Sequence, residues 1–208
     1  MRKRKFFFIV FEGIEGTGKS YQINKLYNNL KKKKINIIKT REPGGSTTAE
    51  EIRNLIFSKK SKKFDKLTDF YLMIAARNEH VKKTLLVAKK QKKIVISDRF
   101  IDSTYAYQVI GNKIDKKINQ LNQKYILGDF KPNLTIILKA NFNTIYTRIK
   151  KRKNNNKFDE LKKNFYKKAQ NAYLSLANKK KNYLVFDSSK NNTELEKKIF
   201  NIVLNKIK

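Results

Sequence analysis

The sequence predicts an α/β fold, a mostly parallel five-stranded sheet with helices on both faces. Two observations carry that expectation. Short runs of β-branched and aromatic residues alternate with amphipathic helical patterns along the whole chain, as in a parallel sheet covered on two sides. A glycine-rich segment, Gly13-Ile-Glu-Gly-Thr-Gly18-Lys19-Ser20, also stands between the first apolar run and the first helical pattern.

Phe6-Phe-Phe-Ile-Val-Phe11 is unbroken and apolar, the pattern of a strand buried on both faces. Ile23, Leu26, Tyr27 and Leu30 then recur at helical spacing and predict a helix over 20–33. A second strand is expected over 35–40, followed by helices over 47–58 and 65–91. Ile94-Val-Ile-Ser-Asp98 gives a third strand, and a helix over 114–127 leads to the fourth, Leu134-Thr-Ile-Ile-Leu138. Helices over 142–152 and 159–180 precede a fifth strand over 183–186. A last helix over 192–206 carries Leu195, Ile199, Ile202 and Val203 as its buried stripe.

Bulk properties narrow the function. A length of 208 residues suits one domain, taken as 1–208, with a sizeable core. With no cysteine, disulfides and thiolate metal sites are excluded. The basic start Met1-Arg-Lys-Arg-Lys5 precedes an apolar run too short for a signal peptide, and no stretch could span a bilayer. A cytoplasmic protein without membrane partners is expected. The net charge of +33 has two readings. Phosphate-backbone binding is one; A/T-rich codon bias is the other. The lysines are scattered through every helix and no aromatic-basic motif accompanies them, which favours bias. Only weak, salt-sensitive association with nucleic acid follows.

The glycine-rich segment fits the phosphate-loop pattern G-x-x-x-x-G-K-[ST] in its required place between strand and helix. This predicts a P-loop NTPase fold. Gly13, Glu15, Gly16, Thr17, Gly18, Lys19, Ser20 and Tyr21 make up the expected ATP-binding set. Backbone N–H groups and a helix N-terminus would cradle phosphate oxygens, Lys19 would reach the outer phosphates, and the Ser20 hydroxyl would support Mg²⁺.

Three further segments fall where strands end, the edge at which parallel sheets bind ligands, or on a nearby helix. Thr40-Arg41-Glu42-Pro43-Gly44-Gly45 is a turn in which the arginine is not needed for turning and suits an anion. Ala75-Ala-Arg77 lies within a helix. Asp98-Arg99-Phe-Ile-Asp-Ser-Thr104-Tyr-Ala-Tyr107-Gln108 crowds polar and aromatic groups after the third strand.

Together with Leu127-Gly-Asp-Phe-Lys-Pro-Asn-Leu134 and the Phe165-Tyr166…Tyr173-Leu-x-Leu-Ala177 helix, these segments resemble the thymidylate kinase family almost end to end. The resemblance implies phosphoryl transfer from ATP to dTMP, with Mg²⁺ as cofactor and a homodimer as the working form. It implies that Lys19 holds the transferring phosphoryl group and that Glu15 helps position Mg²⁺ or the acceptor. Ser20 and Asp98 support the metal, directly or through water. Arg99 and Arg41 clamp the acceptor phosphate. Arg77, Thr104 and Gln108 face the thymine edge, Met73 lies against the ring, and Tyr107 packs where a 2′-hydroxyl would project.

Residues 148–159, with Arg148-Ile-Lys-Lys-Arg152, resemble the lid. Gly16 stands where some relatives carry an arginine, so the bacterial-type arrangement makes Arg152 the catalytic lid arginine. The acceptor phosphate, with a second pKa of about 6, is already largely dianionic, so no general base is required.

Four positions depart from the family pattern. Met73 replaces the usual aromatic, Asn156 and Lys157 replace an Asp-Arg pair, Tyr21 replaces a hydroxyl residue, and Lys139 stands where an aspartate often ends the fourth strand. Met73 keeps open a relaxed-specificity pyrimidine monophosphate kinase. The charge keeps open a nucleic-acid-binding protein with a vestigial kinase fold.

Overall fold

Apolar residues at every position, rather than at alternate ones, let the first strand bury both faces. In the computed structural model, which describes residues 5–58, 64–151, 162–190 and 192–207, β1 spans Phe7–Glu12. Phe8 and Val10 point to one side and Ile9 and Phe11 to the other, and all are buried.

The chain continues through α1 (Lys19–Lys32), β2 (Ile37–Arg41), α2 (Thr47–Phe57) and α3 (Lys66–His80). A π-helical turn, Val81–Leu85, leads without a break into α4 (Leu86–Lys90). Then come β3 (Ile94–Asp98), the short α5 (Ile101–Thr104) with a π-helical extension Tyr105–Gly111, and α6 (Lys116–Leu127). β4 (Leu134–Lys139), α7 (Phe142–Lys150), α8 (Lys163–Ala177), β5 (Tyr183–Asp187) and α9 (Asn192–Ile207) complete it.

All five strands are parallel, in the order β2-β3-β1-β4-β5. The order reverses at β1, which places the loops after β1 and β3 at a topological switch point. Register brings three strand ends into one row: Asp98 lies opposite Phe11 on one side and Arg41 on the other.

One face of the sheet packs Ile9, Phe11, Ile136 and Leu138 against Ile23, Leu26 and Leu30 of α1 and Leu195, Ile199 and Val203 of α9. The other face divides in two. Phe8, Val10 and Val95 meet Val81, Leu85, Phe100 and Phe130, whereas Ile14 and Ile137 meet Tyr107, Tyr166 and Tyr173.

Several helices start where a side-chain acceptor satisfies a free N–H. Ser46 accepts from Ala49, Asp65 from Leu67, Asp115 from Lys117 and Asn141 from Thr144. Among the described residues no helix is long and apolar enough to cross a membrane.

The structure sharpens several expected boundaries. The second strand starts at Ile37 and runs to Arg41, because Asn36 contributes only its carbonyl to Ile94 N–H. The expected helix 65–91 is interrupted by its π-helical turn, and residues 101–111, not expected to be helical, form α5 and its extension. The start of the expected 159–180 helix lies outside the described residues, as does the 152–159 part of the lid.

Candidate active site

Gly13 takes φ +136, and a Cβ there would run into the Leu138 carbonyl, so only glycine lets the loop leave β1 this close to β4. Thr17 Oγ1 donates to Ile14 O at 2.8 Å, and Ser188 Oγ donates to Thr17 O at 2.7 Å, fixing the loop from inside and from β5. Lys19 folds back over the loop, its Nζ donating to Gly13 O at 2.8 Å and Ile14 O at 2.9 Å. Burial, aided by the Arg99 charge, pushes the Lys19 ammonium down to about 8, so it remains mostly charged at neutral pH.

Ser20 Oγ donates to Asp98 Oδ2 at 3.4 Å. Asp98 Oδ1 is buried and has no hydrogen-bond partner among the described residues. A hydroxyl beside a carboxylate with an unused oxygen is a donor set that fits Mg²⁺, which keeps several waters and phosphate ligands. No group of three or more His, Cys, Asp or Glu among the described residues could cage a metal by itself.

Arg99 is the centre of the acceptor side. Its backbone is left-handed, φ +72, as the chain turns sharply out of β3. Nη2 donates to Glu15 Oε1 at 2.6 Å, and Nη1 to Ser103 Oγ and Tyr173 Oη, each at 3.1 Å. The guanidinium lies 5.0 Å above the Tyr107 ring, whose hydroxyl donates to Glu15 Oε2. Burial, then the Glu15 charge, holds the Tyr107 phenol well above its ordinary value, so it stays a donor.

Behind this turn lies Glu12. Its Oε1 accepts from Phe100 N at 2.9 Å and Ser103 N at 3.2 Å, while Oε2 is 2.6 Å from Ser103 Oγ. Burial, then the charge of Asp102, pushes the Glu12 carboxyl up to about 8 against the opposing pull of Ser103, Arg99 and Phe100 N–H.

Arg41 makes a two-pronged pair with Glu50 (Nε–Oε1 3.1 Å, Nη2–Oε2 2.7 Å). Gly45 N also donates to Glu50 Oε1 at 2.9 Å, so the turn after β2 is closed onto α2. Arg53, one helical turn on, donates to Pro43 O at 2.7 Å and stacks 4.6 Å above Phe57. On the opposite wall Arg77 is fully buried. Its Nε and Nη2 reach Glu42 Oε2, each at 2.8 Å, and Nη2 donates to Phe100 O at 3.0 Å.

These groups surround one cleft of about 260 Å³. Eleven expected side chains line it: Glu15, Lys19, Ser20, Arg41, Met73, Arg77, Asp98, Arg99, Thr104, Tyr107 and Gln108. Gly13, Gly16, Thr17 and Gly18 lie in the loop between β1 and α1 and are not among the residues lining this cleft. Tyr21 is directed elsewhere, its hydroxyl reaching Glu196 of α9 at 3.5 Å. Arg152 lies outside the described residues. Arg148, at the start of the expected lid, is anchored to Gly16 O at 3.2 Å and Ser188 O at 2.8 Å. Lys139 lies opposite Asp187 at the end of β5 and pairs with it at 3.8 Å.

Sequence reasoning singled out the segments holding Glu42, Pro43, Phe100 and Ser103 but gave these four no role, and it missed Arg53 and Phe57 on the cleft wall and Glu12 behind it. Glu12 had a signal, a carboxylate ending an otherwise apolar buried strand. Arg53 had none, since an arginine three residues after a glutamate on a helix reads as an ordinary surface ion pair.

A model of the family described as thymidylate kinase matches residues 11–199. The chain is 36% identical over 204 residues to a thymidylate kinase of Mycoplasma capricolum, covering 97% of this chain and 96% of that protein. It is 39% identical over 205 residues to a thymidylate kinase of Aster yellows witches'-broom phytoplasma, with the same coverage of each. The crystal structure of thymidylate kinase from Ehrlichia chaffeensis superposes with a TM-score of 0.78 at 29% identity, covering 96% of this chain and 99% of that one.

Proposed function

The chain belongs to the thymidylate kinase family and phosphorylates dTMP, and we propose that transfer from ATP, giving dTDP and ADP, takes place in the cleft at the C-terminal ends of β1, β2 and β3. The observation that carries this reading is the position of Arg99. It ties the phosphate loop, through Glu15, to the Tyr107 wall of the acceptor side. A donor phosphate on the loop and an acceptor phosphate on Arg99 would therefore meet within one enclosed space.

The ATP phosphates lie along the loop, with Lys19 Nζ exchanging its carbonyl partners for γ-phosphate oxygens. Arg99, Arg41 and the newly identified Arg53 hold the acceptor phosphate. Arg77, Thr104 and Gln108 face the base, and Met73 packs on it. Tyr107, fixed by Glu15, occupies the space beside C2′ and disfavours ribonucleotides. Ser20 and Asp98 would hold Mg²⁺, which when bound would neutralise phosphate charge. Arg152 completes the charge set from the lid, and the chain works as one unit. Its partner is a second copy, a reading supported by the exposed apolar side chains Leu121 and Tyr125 on α6. Sedimentation velocity tests it, and a monomer at micromolar concentration removes it.

A dianionic acceptor needs no base, so alignment and charge neutralisation carry the rate. Assays with dTMP, dUMP, UMP, CMP and AMP at saturating ATP test the assignment. The expected result is a kcat/KM for dTMP well above the rest. A second reading, relaxed pyrimidine specificity, draws on Met73, a pliable thioether on the base wall. Equal kcat/KM for dTMP and dUMP selects it.

A further inference from the structure

Four buried polar side chains run in a line behind the base wall, and the reaction as described above uses only the last. Thr40 Oγ1 and His80 Nε2 are 2.7 Å apart, His80 Nδ1 and Glu42 Oε1 2.9 Å, and Glu42 Oε2 holds Arg77 at 2.8 Å. His80 is completely enclosed, and Thr40, Glu42 and Arg77 are each buried. A buried polar chain of this kind is tolerated only where every link is satisfied, and it then fixes one geometry.

The surroundings are built for the chain. Gly45, at φ +90, has no Cβ, and a Cβ there would enter both Thr40 Oγ1 and the His80 ring. Thr84 Oγ1 donates to Gly45 O at 2.6 Å, from the π-helical turn that begins directly after His80. The glycine turn and the widened helix thus close around the imidazole.

The end of the line explains its use. Nε and Nη2 of Arg77 are committed to Glu42 and Phe100 O, whereas Nη1 is buried without a partner among the described residues. That nitrogen is the donor left for a ligand, and its direction depends on how Glu42 is held.

We propose that His80 is a positioning residue for dTMP recognition, orienting Glu42 through Nδ1–H and thereby aiming Arg77 at the base. The proposal rests on the reading of Arg77 as the base-facing residue. Burial opposes ionisation of Glu42, but Arg77 and His80 hold its carboxyl below the ordinary value, so it is ionised and can only accept. The proton therefore sits on Nδ1, and Nε2 of the neutral ring is left to accept from the Thr40 O–H.

Asn and Gln at position 80 separate the two links. His80→Asn retains an amide near Nδ1 and keeps the bond to Glu42. His80→Gln places its amide near Nε2, keeping Thr40 and losing Glu42. In steady-state assays of the full chain, H80Q raises KM for dTMP about tenfold, with kcat and KM for ATP within about twofold. H80N stays within about twofold of the parent in all three. Thr40→Val, nearly isosteric, raises KM for dTMP about two- to threefold and keeps the test open if a position-80 variant does not fold. In Arg77→Ala, adding H80Q brings no further loss, since His80 acts through Arg77.

Equal KM values for H80Q and H80N overturn the proposal, as does an unchanged KM in Thr40→Val. Additive losses in the double variant also overturn it. If Arg77→Ala weakens dTMP while H80Q does not, the proposal alone fails. If Arg77→Ala leaves dTMP affinity unchanged, the reading of Arg77 fails and the proposal with it.

Discussion

Glu12 makes the stability of this protein depend on pH in a direction opposite to that of an ion-paired carboxylate. Its ordinary value is 4.5 and the folded one about 8, raised by burial first and by Asp102 second. Between those two values the folded chain keeps a proton that the unfolded chain has lost. The stabilisation is therefore complete below pH 4.5 and is lost as pH rises through about 8. At about 1.4 kcal/mol per unit, the interval corresponds to at most about 5 kcal/mol, part of it shared with Asp102. Lys19 works in the adjoining window. Its folded value of about 8 lies below the ordinary 10.5, so the unfolded chain holds the extra proton there and stability recovers between pH 8 and 10.5. A minimum near pH 8 follows.

The perturbation is Glu12→Gln, which fixes the neutral state. The amide oxygen still accepts from Phe100 N and Ser103 N, and the amide nitrogen donates to Ser103 Oγ as a protonated carboxyl would. Urea titrations at pH 5, 6, 7 and 8 measure it. The parent should lose several kcal/mol across the series, whereas E12Q should lose markedly less and match the parent at pH 5. Parallel profiles for the two proteins would refute the reasoning, since Glu12 would then be ionised in the fold throughout.

Lys19→Ala should lower kcat by about 10²–10³-fold while Tm stays level or rises, because a buried ammonium is removed; turnover near that of the parent excludes Lys19 from the transfer step. Gly45→Ala should destabilise by about 1–3 kcal/mol, from left-handed strain and the collision with Thr40 and His80, measured by thermal melting. Met73→Phe, by offering a flat ring to the base, should lower KM for dTMP and widen its margin over dUMP; an unchanged ratio removes position 73 from specificity.

What the sequence showed was what its chemistry makes local. The loop Gly13–Ser20 declares itself because backbone N–H groups, a lysine and a hydroxyl must occur in fixed order. The central strands β1, β3 and β4 declare themselves because burial on both faces leaves no polar alternation, while the partly exposed edge strands β2 and β5 show only as short apolar runs. Asp98 and Arg99 were legible as polar residues after an apolar strand. The helicity of 101–111 was not legible, because its buried positions include the polar Asp102, Thr104 and Gln108 and run consecutively from Ala106 to Val109, leaving no 3.6-residue apolar repeat. Neither was the link from Thr40 to His80, since residues 40 apart in sequence meet only when β2 and α3 are packed. His80 by itself reads as an ordinary helical histidine; its partners give it a role.

The charge of the cleft is nearly balanced, unlike the charge of the chain. Five cations line the cleft, Lys19, Arg41, Arg53, Arg77 and Arg99, against three carboxylates, Glu15, Glu42 and Asp98, with Glu50 bound behind Arg41. Arg41, Arg77 and Arg99 are each gripped by a carboxylate, so their forks are held in place before any phosphate arrives. That local balance contrasts with +33 for the chain, most of which must therefore lie outside the cleft. The outer charge acts at a distance, drawing in anionic nucleotides and fading with salt, whereas the paired arginines act at contact and are screened much less. Raising ionic strength should therefore slow capture of substrate, seen in kcat/KM, and leave kcat nearly constant. A kcat that fell in step with kcat/KM would place the excess charge in the chemistry itself.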